Sequence, residues 1–263
     1  MKKPIATAAL LALIAAFYFA LSGGSSYVTP LSRLYPLGVS GYNLVGAVTY
    51  TFVHIGLKHL IGNLMALAVF GAIAEQRLRG THVVAMFIVA GLVSGLAYAL
   101  MHPDIWVVGA SAAIASLLAA SAVVDTKRAL IALVAVMVLV PNVVLPLADA
   151  ALDSVERDKL LDAARAQLEL SRIGELISQG NYTNETLEQQ ARLQQEYEGA
   201  VGSRQSLAEG RGTEAATPAS LEIHACGGII ALAFMWVFDR KVFVEFATRV
   251  RKAWRWLVGP YKP

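Results

Sequence analysis

The sequence is short of charge and of cysteine, and each shortage excludes a class of protein. Charged residues make up 16% of the 263 residues, against 56% hydrophobic residues, whereas an average soluble domain has about 25% charged residues. The single cysteine, Cys226, excludes an intrachain disulfide and a cysteine-based metal cluster. A phosphate-binding loop and a dinucleotide fingerprint are also missing. We therefore expect an integral membrane protein without a metal or a cofactor.

Long apolar runs separated by short polar stretches dominate the chain. A helix needs about 20 apolar residues to cross a bilayer core of about 30 Å. Five runs approach this length, but the run that begins at Ser111 has about 14 residues, or roughly 21 Å of helix. Its N-terminus is therefore expected inside the membrane, reached by an irregular loop. The predicted spans are residues 5–22, 50–74, 82–101, 111–124, 129–148 and 221–238.

The basic residues predict the topology. Six spans place both termini on one side, and Lys and Arg cluster there, which favours the cytoplasmic side. These residues are Lys2, Lys3, Arg77, Arg79, Lys127, Arg128 and the seven basic residues from Arg240 to Lys262. Because they flank apolar runs and the net charge is only +3, they indicate a lipid-bilayer partner and no nucleic acid. We expect a multi-pass protein of a prokaryotic inner membrane, with residues 5–22 retained as its first helix and not cleaved as a signal peptide.

Residues 149–220 differ from the rest of the chain. Charged residues alternate there with leucine, valine and isoleucine at a helical period, which breaks near Gly180. A second helix, capped by Thr183 or Asn184, is predicted to end near Tyr197, before a flexible return rich in Gly, Ser and Thr. The expected units are membrane helices 1–5 in residues 1–148, an extracytoplasmic helical hairpin with a linker in 149–220, membrane helix 6 in 221–239 and a basic amphipathic cytoplasmic tail in 240–263.

Polar side chains inside the predicted spans are candidates for a functional site, because burying them unpaired is costly. They are His54, His59, Asn63, Ser111 and His224. At about 1.5 Å per residue, the last four fall in one layer, roughly 18–24 Å from the cytoplasmic ends of their helices. A structural role for each histidine, and a capping or packing role for Ser111, are the alternatives.

Small residues at three- or four-residue spacing predict close helix packing around this layer. They are Ala112, Ala115 and Ala119 on the fourth span, Gly227 and Ala231 on the sixth, and Gly91 and Gly95 on the third. Close approach of the fourth and sixth spans would bring Ser111 within reach of His224.

Three motifs resemble those of the rhomboid intramembrane serine proteases. The segment HIGLKHLIGN, with His59 and Asn63, resembles the His-x-x-x-Asn motif of their second membrane helix. The segment GASA, from Gly109, resembles their Gly-x-Ser-Gly motif, and IHACG, ending at Gly227, resembles their Ala-His-x-x-Gly motif. The sequence departs from these motifs at three positions, with Ala112 in place of Gly, Ala115 in place of a frequent aromatic residue and Ile223 in place of Ala. The first connection also lacks the Trp-Arg pair that is frequent in the family.

The resemblance implies a six-helix rhomboid-like bundle and a serine endopeptidase that cleaves transmembrane segments of other proteins. Ser111 would be the nucleophile and His224 the general base. The resemblance also implies that His59, Asn63 and the Ser111 backbone N–H stabilise the oxyanion. His54, Gly109 and Gly227 are possible supporting residues. The alternative is a non-catalytic rhomboid-like protein that binds membrane clients. A transporter would show internal symmetry, which the sequence lacks.

Overall fold

A computed structural model describes residues 3–22, 29, 31–180, 183–216 and 221–257. Within these ranges the regular structure is helical and no β-strand forms. Five helical segments are long and apolar enough to cross a membrane, so an all-helical, polytopic architecture is confirmed. The α-helices are α1 (Ile5–Ser22), α2 (Leu31–Leu34), α3 (Leu57–Glu75), α4 (Gly80–Met101), α5 (Ser111–Val124), α6 (Thr126–Leu139), α7 (Leu145–Ser178), α8 (Asn184–Ala216), α9 (Leu221–Phe238) and α10 (Arg240–Leu257).

Helix α5 is the centre of the bundle. Nine of its 14 residues are buried, whereas a helix at the edge of a domain buries a single stripe. It packs against α3, α4 and α9, and its Ala113, Leu117 and Ala120 belong to the main apolar core. Its bounds are those of the short run in the sequence. The small side chains of α5 let three neighbours approach its backbone closely, which holds the start of the helix in place.

A buried carboxylate anchors helix α1 to helix α3. Glu75, the last residue of α3, is 3% exposed. Its carboxylate accepts hydrogen bonds from the backbone N–H groups of Ala6 and Thr7, at 3.0 and 2.9 Å, and from the Thr7 hydroxyl at 2.9 Å. These donors lie in the first turn of α1, where backbone N–H groups lack helical partners and the helix dipole favours a negative charge. Glu75 therefore caps α1 from a distant part of the chain.

The second membrane helix begins later than the sequence predicts. The predicted start is residue 50, but Tyr50–Phe52 form a 3-10 turn and α3 begins at Leu57. The cause is a tertiary contact: the Tyr50 carbonyl accepts a hydrogen bond from the Gly109 N–H at 2.8 Å. The backbone of this segment therefore binds a loop and does not continue the helix. His54 lies in the segment before α3, so its predicted place on the second span is wrong.

Gly91 and Gly95 on α4 pack mainly against the segment that precedes α3. A Cβ at Gly95 would lie 2.5 Å from the Tyr50 ring, and one at Gly91 would lie 2.5 Å from the Thr51 methyl group. The buried Tyr50 hydroxyl donates to the Gly91 carbonyl at 2.7 Å. The predicted close packing is present, but its main partner is a 3-10 turn, with α5 reached only through Ala113 at 3.5 Å from the Gly91 Cβ position.

The fifth predicted span and the first hairpin helix form one continuous helical segment. Helix α6 ends at Leu139, a π-helical turn follows over Val140–Val144, and α7 continues to Ser178. Pro141 lies in the π turn, whose wider winding accommodates a residue without an N–H. The Asn142 side chain donates to the Val138 carbonyl at 2.8 Å, so the prolines interrupt the α-helical pattern without ending the segment.

Helices α7 and α8 pack side by side as a hairpin. Gly180, with a φ of +73°, follows the end of α7, and the Thr183 hydroxyl accepts a hydrogen bond from the Thr186 N–H at 3.3 Å. The predicted break and cap are therefore confirmed. The predicted end of the second helix near Tyr197 is wrong, because α8 continues to Ala216. Alanine, glutamate, leucine and arginine between the glycines favour helix there. The end of the expected linker, residues 217–220, lies outside the described residues.

Candidate active site

Ser111, the candidate nucleophile, begins helix α5 and is half-buried. Gly109, two residues earlier, has a φ of +118°, a conformation that glycine adopts without strain. The N-cap residue is Ala110, not Ser111, so the capping role considered for the serine is wrong. The backbone N–H of Ser111 is one of the first in the helix, and such groups have no partner within the helix itself. Ser111 therefore combines a side-chain hydroxyl with a backbone N–H that can donate to an anion.

The loop that leads to Ser111 is fixed against the first connection. Val39 and Val107 exchange two backbone hydrogen bonds of 3.0 and 2.9 Å, and the Gly41 N–H donates to the Pro103 carbonyl at 3.0 Å. These bonds satisfy backbone groups that would otherwise be costly inside a membrane. The irregular loop predicted before Ser111 is therefore present and is supported by protein.

His59 lies against the backbone of this loop. A Cβ built on Gly109 would be 2.7 Å from both Cε1 and Nε2 of the His59 ring, so only a glycine allows the imidazole to come this close. Asn63, one turn further along α3, is 7% exposed, and its Nδ2 donates to the His59 carbonyl at 2.9 Å. His59 thus lies against the loop that leads to Ser111, and Asn63 is bonded to the His59 backbone on the same helix.

Helices α5 and α9 approach each other at the level of Ser111. A Cβ at Gly227 would collide with the carbonyl oxygen of Ala112 and would lie 3.6 Å from the Ala115 methyl group. The predicted close approach of these helices is therefore confirmed. His224 precedes Gly227 by three residues and so lies on the same side of α9, while Ser111 is adjacent to Ala112. The register places the two residues at one level, and their pairing as a dyad stays a prediction.

Two departures from the rhomboid motifs are buried in the same apolar cluster. Ala112 and Ile223 are 1% and 5% exposed, and both belong to a cluster that includes Tyr50 and Tyr98. The methyl group of Ala112 therefore occupies packed space and does not block an open site. The third departure, Ala115, faces Gly227, where a small side chain allows the helices to stay close.

Two histidine–carboxylate pairs, which the sequence analysis missed, hold α4 to α9. His102 Nε2 lies 2.7 Å from Glu222 Oε2 at one end, and His82 Nδ1 lies 2.8 Å from Asp239 Oδ2 at the other. Because α4 and α9 run in opposite directions, the pairs restrain both ends of the helix that carries His224. The signal in the sequence was a histidine or an acid at each end of two apolar runs.

His54 packs against His59 from the segment before α3. It is 1% exposed, and the two imidazole rings meet edge to face with centroids 5.0 Å apart. Such a contact restricts the orientation of the His59 ring, which suits a supporting role better than a direct one. Within the described residues, no group of three or more His, Cys, Asp or Glu side chains could hold a metal ion.

The fold and the motifs define a class, a polytopic helical membrane protein with a polar site at the start of a buried helix. The family model of the rhomboid domain matches residues 41–160. Residues 41–160 are thus a rhomboid domain, which confirms the resemblance that the sequence motifs indicate. The match includes His59, Asn63 and Ser111 and ends before His224. No curated protein and no solved structure matches the chain.

Proposed function

We propose that the protein is an intramembrane serine endopeptidase that cleaves transmembrane segments of other membrane proteins. The observation that carries this proposal is the packing of Gly227 on the Ala112 carbonyl. It leaves no room for a side chain between α5 and α9 and sets His224 at the level of Ser111.

In the proposed reaction His224 takes the hydroxyl proton of Ser111 as the Ser111 oxygen attacks the scissile carbonyl carbon. The tetrahedral intermediate collapses when His224 returns the proton to the leaving amine, which leaves an acyl-enzyme ester. Water then attacks the ester, with His224 again taking a proton, and the new carboxyl terminus and the Ser111 hydroxyl are released. No third acidic residue is assigned to the dyad.

The developing oxyanion would be stabilised by the Ser111 backbone N–H and by the side chains of His59 and Asn63. Loss of one such donor costs about 3–4 kcal/mol in a soluble serine protease. The contact of His59 with Gly109 and the hydrogen bond that orients Asn63 support this assignment. The ring of His54 would hold His59 in place as a supporting contact.

The substrate would be a transmembrane helix that unwinds locally, since a peptide bond within a regular helix is shielded by its own hydrogen bonds. Water would enter along the irregular loop before Ser111. We assign six membrane spans to the chain, with α5 as the short fourth span and both termini in the cytoplasm of a prokaryotic cell. In this arrangement the α7–α8 hairpin lies on the outer side, beside the mouth of the site.

The hairpin would gate the site or recruit substrates. It is tied to α3, the helix that carries His59, by an ion pair of 3.0 Å between Lys58 and Asp149 in the first turns of α7. Deletion of residues 150–218 is then expected to change cleavage rates differently for different substrates. Equal rates across several substrates would identify the hairpin as an insertion without a role in selection.

The deciding experiment is cleavage of a single-span substrate in reconstituted membranes. Wild type should cleave it, and Ser111→Ala and His224→Ala should each abolish cleavage while remaining folded. A fluorophosphonate should label Ser111 in the wild type and fail to label His224→Ala. Ser121→Ala, on the same helix, is the matched control, because Ser121 already donates to the Leu118 carbonyl at 2.8 Å and is remote from Gly109. Cleavage that survives Ser111→Ala would refute the proposal.

The second candidate is a non-catalytic rhomboid-like protein that binds membrane clients. It is favoured by two departures from the family's motifs taken together, Ala112 in place of Gly and Ala115 in place of a frequent aromatic residue. A folded wild type that neither cleaves nor is labelled, but retains a client through purification, would support it.

A further inference from the structure

Helix α10 is amphipathic along its whole length. Most of its apolar residues recur at helical spacing and form one face, made by Val242, Phe243, Phe246, Ala247, Val250, Ala253 and Trp254, while Val244 lies off this face. The rest of the surface is strongly basic, with Arg240, Lys241, Arg249, Arg251, Lys252 and Arg255 against a single acidic residue, Glu245. A helix of this composition suits a boundary between apolar and anionic surroundings.

Three contacts show that α10 lies across one end of the bundle. At its start, Asp239 meets His82, in the first turn of α4, at 2.8 Å. Further along, Glu245 pairs with Arg77, just after α3, at 3.2 Å. Arg249 then donates to the carbonyl of Val123, at the end of α5, at 2.7 Å.

These partners all belong to the end of the bundle at which α3, α5 and α9 finish. From residue 239 to residue 249 the chain advances about 15 Å, which is enough to cross from one helix end to another. The axis of α10 is therefore transverse to the apolar helices, and α10 lies at the level of their ends.

The apolar face of α10 is only half covered by the protein. Val242, Phe243 and Phe246 in its first two turns pack against the main core. On the same face, further along, Val250 is 49% exposed and Trp254 is 65% exposed. The face that meets the bundle therefore continues past the bundle without a partner among the described residues.

We propose that the last two turns of α10 dock on the bilayer surface and bind anionic lipid headgroups. Because α10 is transverse and its apolar face is turned toward the membrane helices, Val250 and Trp254 face the headgroup–acyl boundary beside α5. Arg251, Lys252 and Arg255 lie on the remaining surface of these turns, where they reach lipid phosphates while their aliphatic stems cover apolar surface.

The positive charge of α10 favours anionic lipid, and not a second copy of the chain, as the partner of its exposed apolar face. A second α10 would bring six basic residues against six others with one acidic residue on each side, so like charges would oppose pairing. Anionic headgroups provide the complementary charge. The inference goes beyond the proposed protease function and does not depend on it.

The test measures the depth of two nitroxide labels in the full-length protein, reconstituted in vesicles. The single native cysteine is replaced by Cys226→Ser, and the labels are attached through Val250→Cys on the apolar face or Thr248→Cys on the polar face. Collision rates with oxygen, which concentrates in the bilayer, and with a water-soluble nickel chelate report depth. The vesicles contain either neutral phosphatidylcholine alone or the same lipid with about one third phosphatidylglycerol, because anionic lipids attract basic helices.

In the acidic vesicles the label at residue 250 is expected to favour oxygen by at least fivefold over the label at residue 248. Removal of phosphatidylglycerol, or the double change Arg251→Glu and Arg255→Glu, should return the label at residue 250 to water-like values. A water-exposed label at residue 250 in acidic vesicles would overturn the proposal. Equal immersion in both kinds of vesicle would overturn the recognition of anionic headgroups, and spin–spin broadening from a second copy would assign the face to a dimer.

Discussion

Replacing Glu75 by alanine tests whether a single carboxylate holds α1 to the bundle. The carboxylate is 3% exposed and accepts three hydrogen bonds of 2.9–3.0 Å from Ala6 and Thr7. A hydrogen bond to a charged group contributes about 1.5–3 kcal/mol, and bonds that share one carboxylate are not additive. Removal also leaves buried donors without an acceptor. We expect Glu75→Ala to lower the free energy of unfolding by about 3–5 kcal/mol.

The assay is equilibrium unfolding in mixed micelles, followed by circular dichroism as the denaturing detergent increases. Glu75→Gln should lose less, because the carboxamide keeps the volume and one acceptor. Thr7→Val isolates the hydroxyl and should cost about 1–2 kcal/mol. The matched control is Glu245→Ala, whose partner Arg77 and own side chain are about half exposed, so it should cost less than about 1 kcal/mol. If Glu75→Ala is no more destabilising than this control, the carboxylate does not anchor α1.

Three further predictions concern the site and its support. Gly109→Ala adds a Cβ 2.7 Å from the His59 ring at a φ of +118°, so cleavage should fall at least tenfold while the protein stays folded; wild-type cleavage would show that the His59 position is unimportant. Gly227→Ala should force α5 and α9 apart, which should cost about 1–3 kcal/mol of stability and abolish fluorophosphonate labelling. The control is Gly228→Ala, because the nearest neighbour of an added Cβ there is Ala119 at 3.9 Å. This variant should keep its stability and its labelling. Tyr50→Phe removes the buried hydrogen bond to the Gly91 carbonyl and should cost about 1–3 kcal/mol in the same unfolding assay; an unchanged midpoint would contradict this.

Features that depend on a few consecutive residues were predictable from the sequence. The bounds of α5 and α9 follow from where an apolar run meets charged or irregular segments. The cap at Thr183 follows from a local side-chain bond. The faces of α5 and α9 that consist of small residues were also predictable, because residues three or four apart lie on the same side of a helix.

Features that depend on distant residues were not predictable in this way. Nothing near Glu75 indicates that its partners are in the first turn of α1. Gly91 and Gly95 match a helix-packing motif, although they pack mainly against Thr51 and Tyr50 of a 3-10 turn. The helical segment also continues through Pro141, although a proline by itself predicts that a helix ends or kinks there.

The sequence by itself determined the class of protein, the order of its apolar helices and the residues of the candidate site, because composition and helical spacing are local properties. Only the tertiary structure decided which surfaces meet: His59 against Gly109, Gly227 against the Ala112 carbonyl, and α10 across the end of the bundle. Those contacts join residues far apart in the chain, and each depends on the shape of both partners, such as a missing Cβ on one side and a ring or a carbonyl on the other.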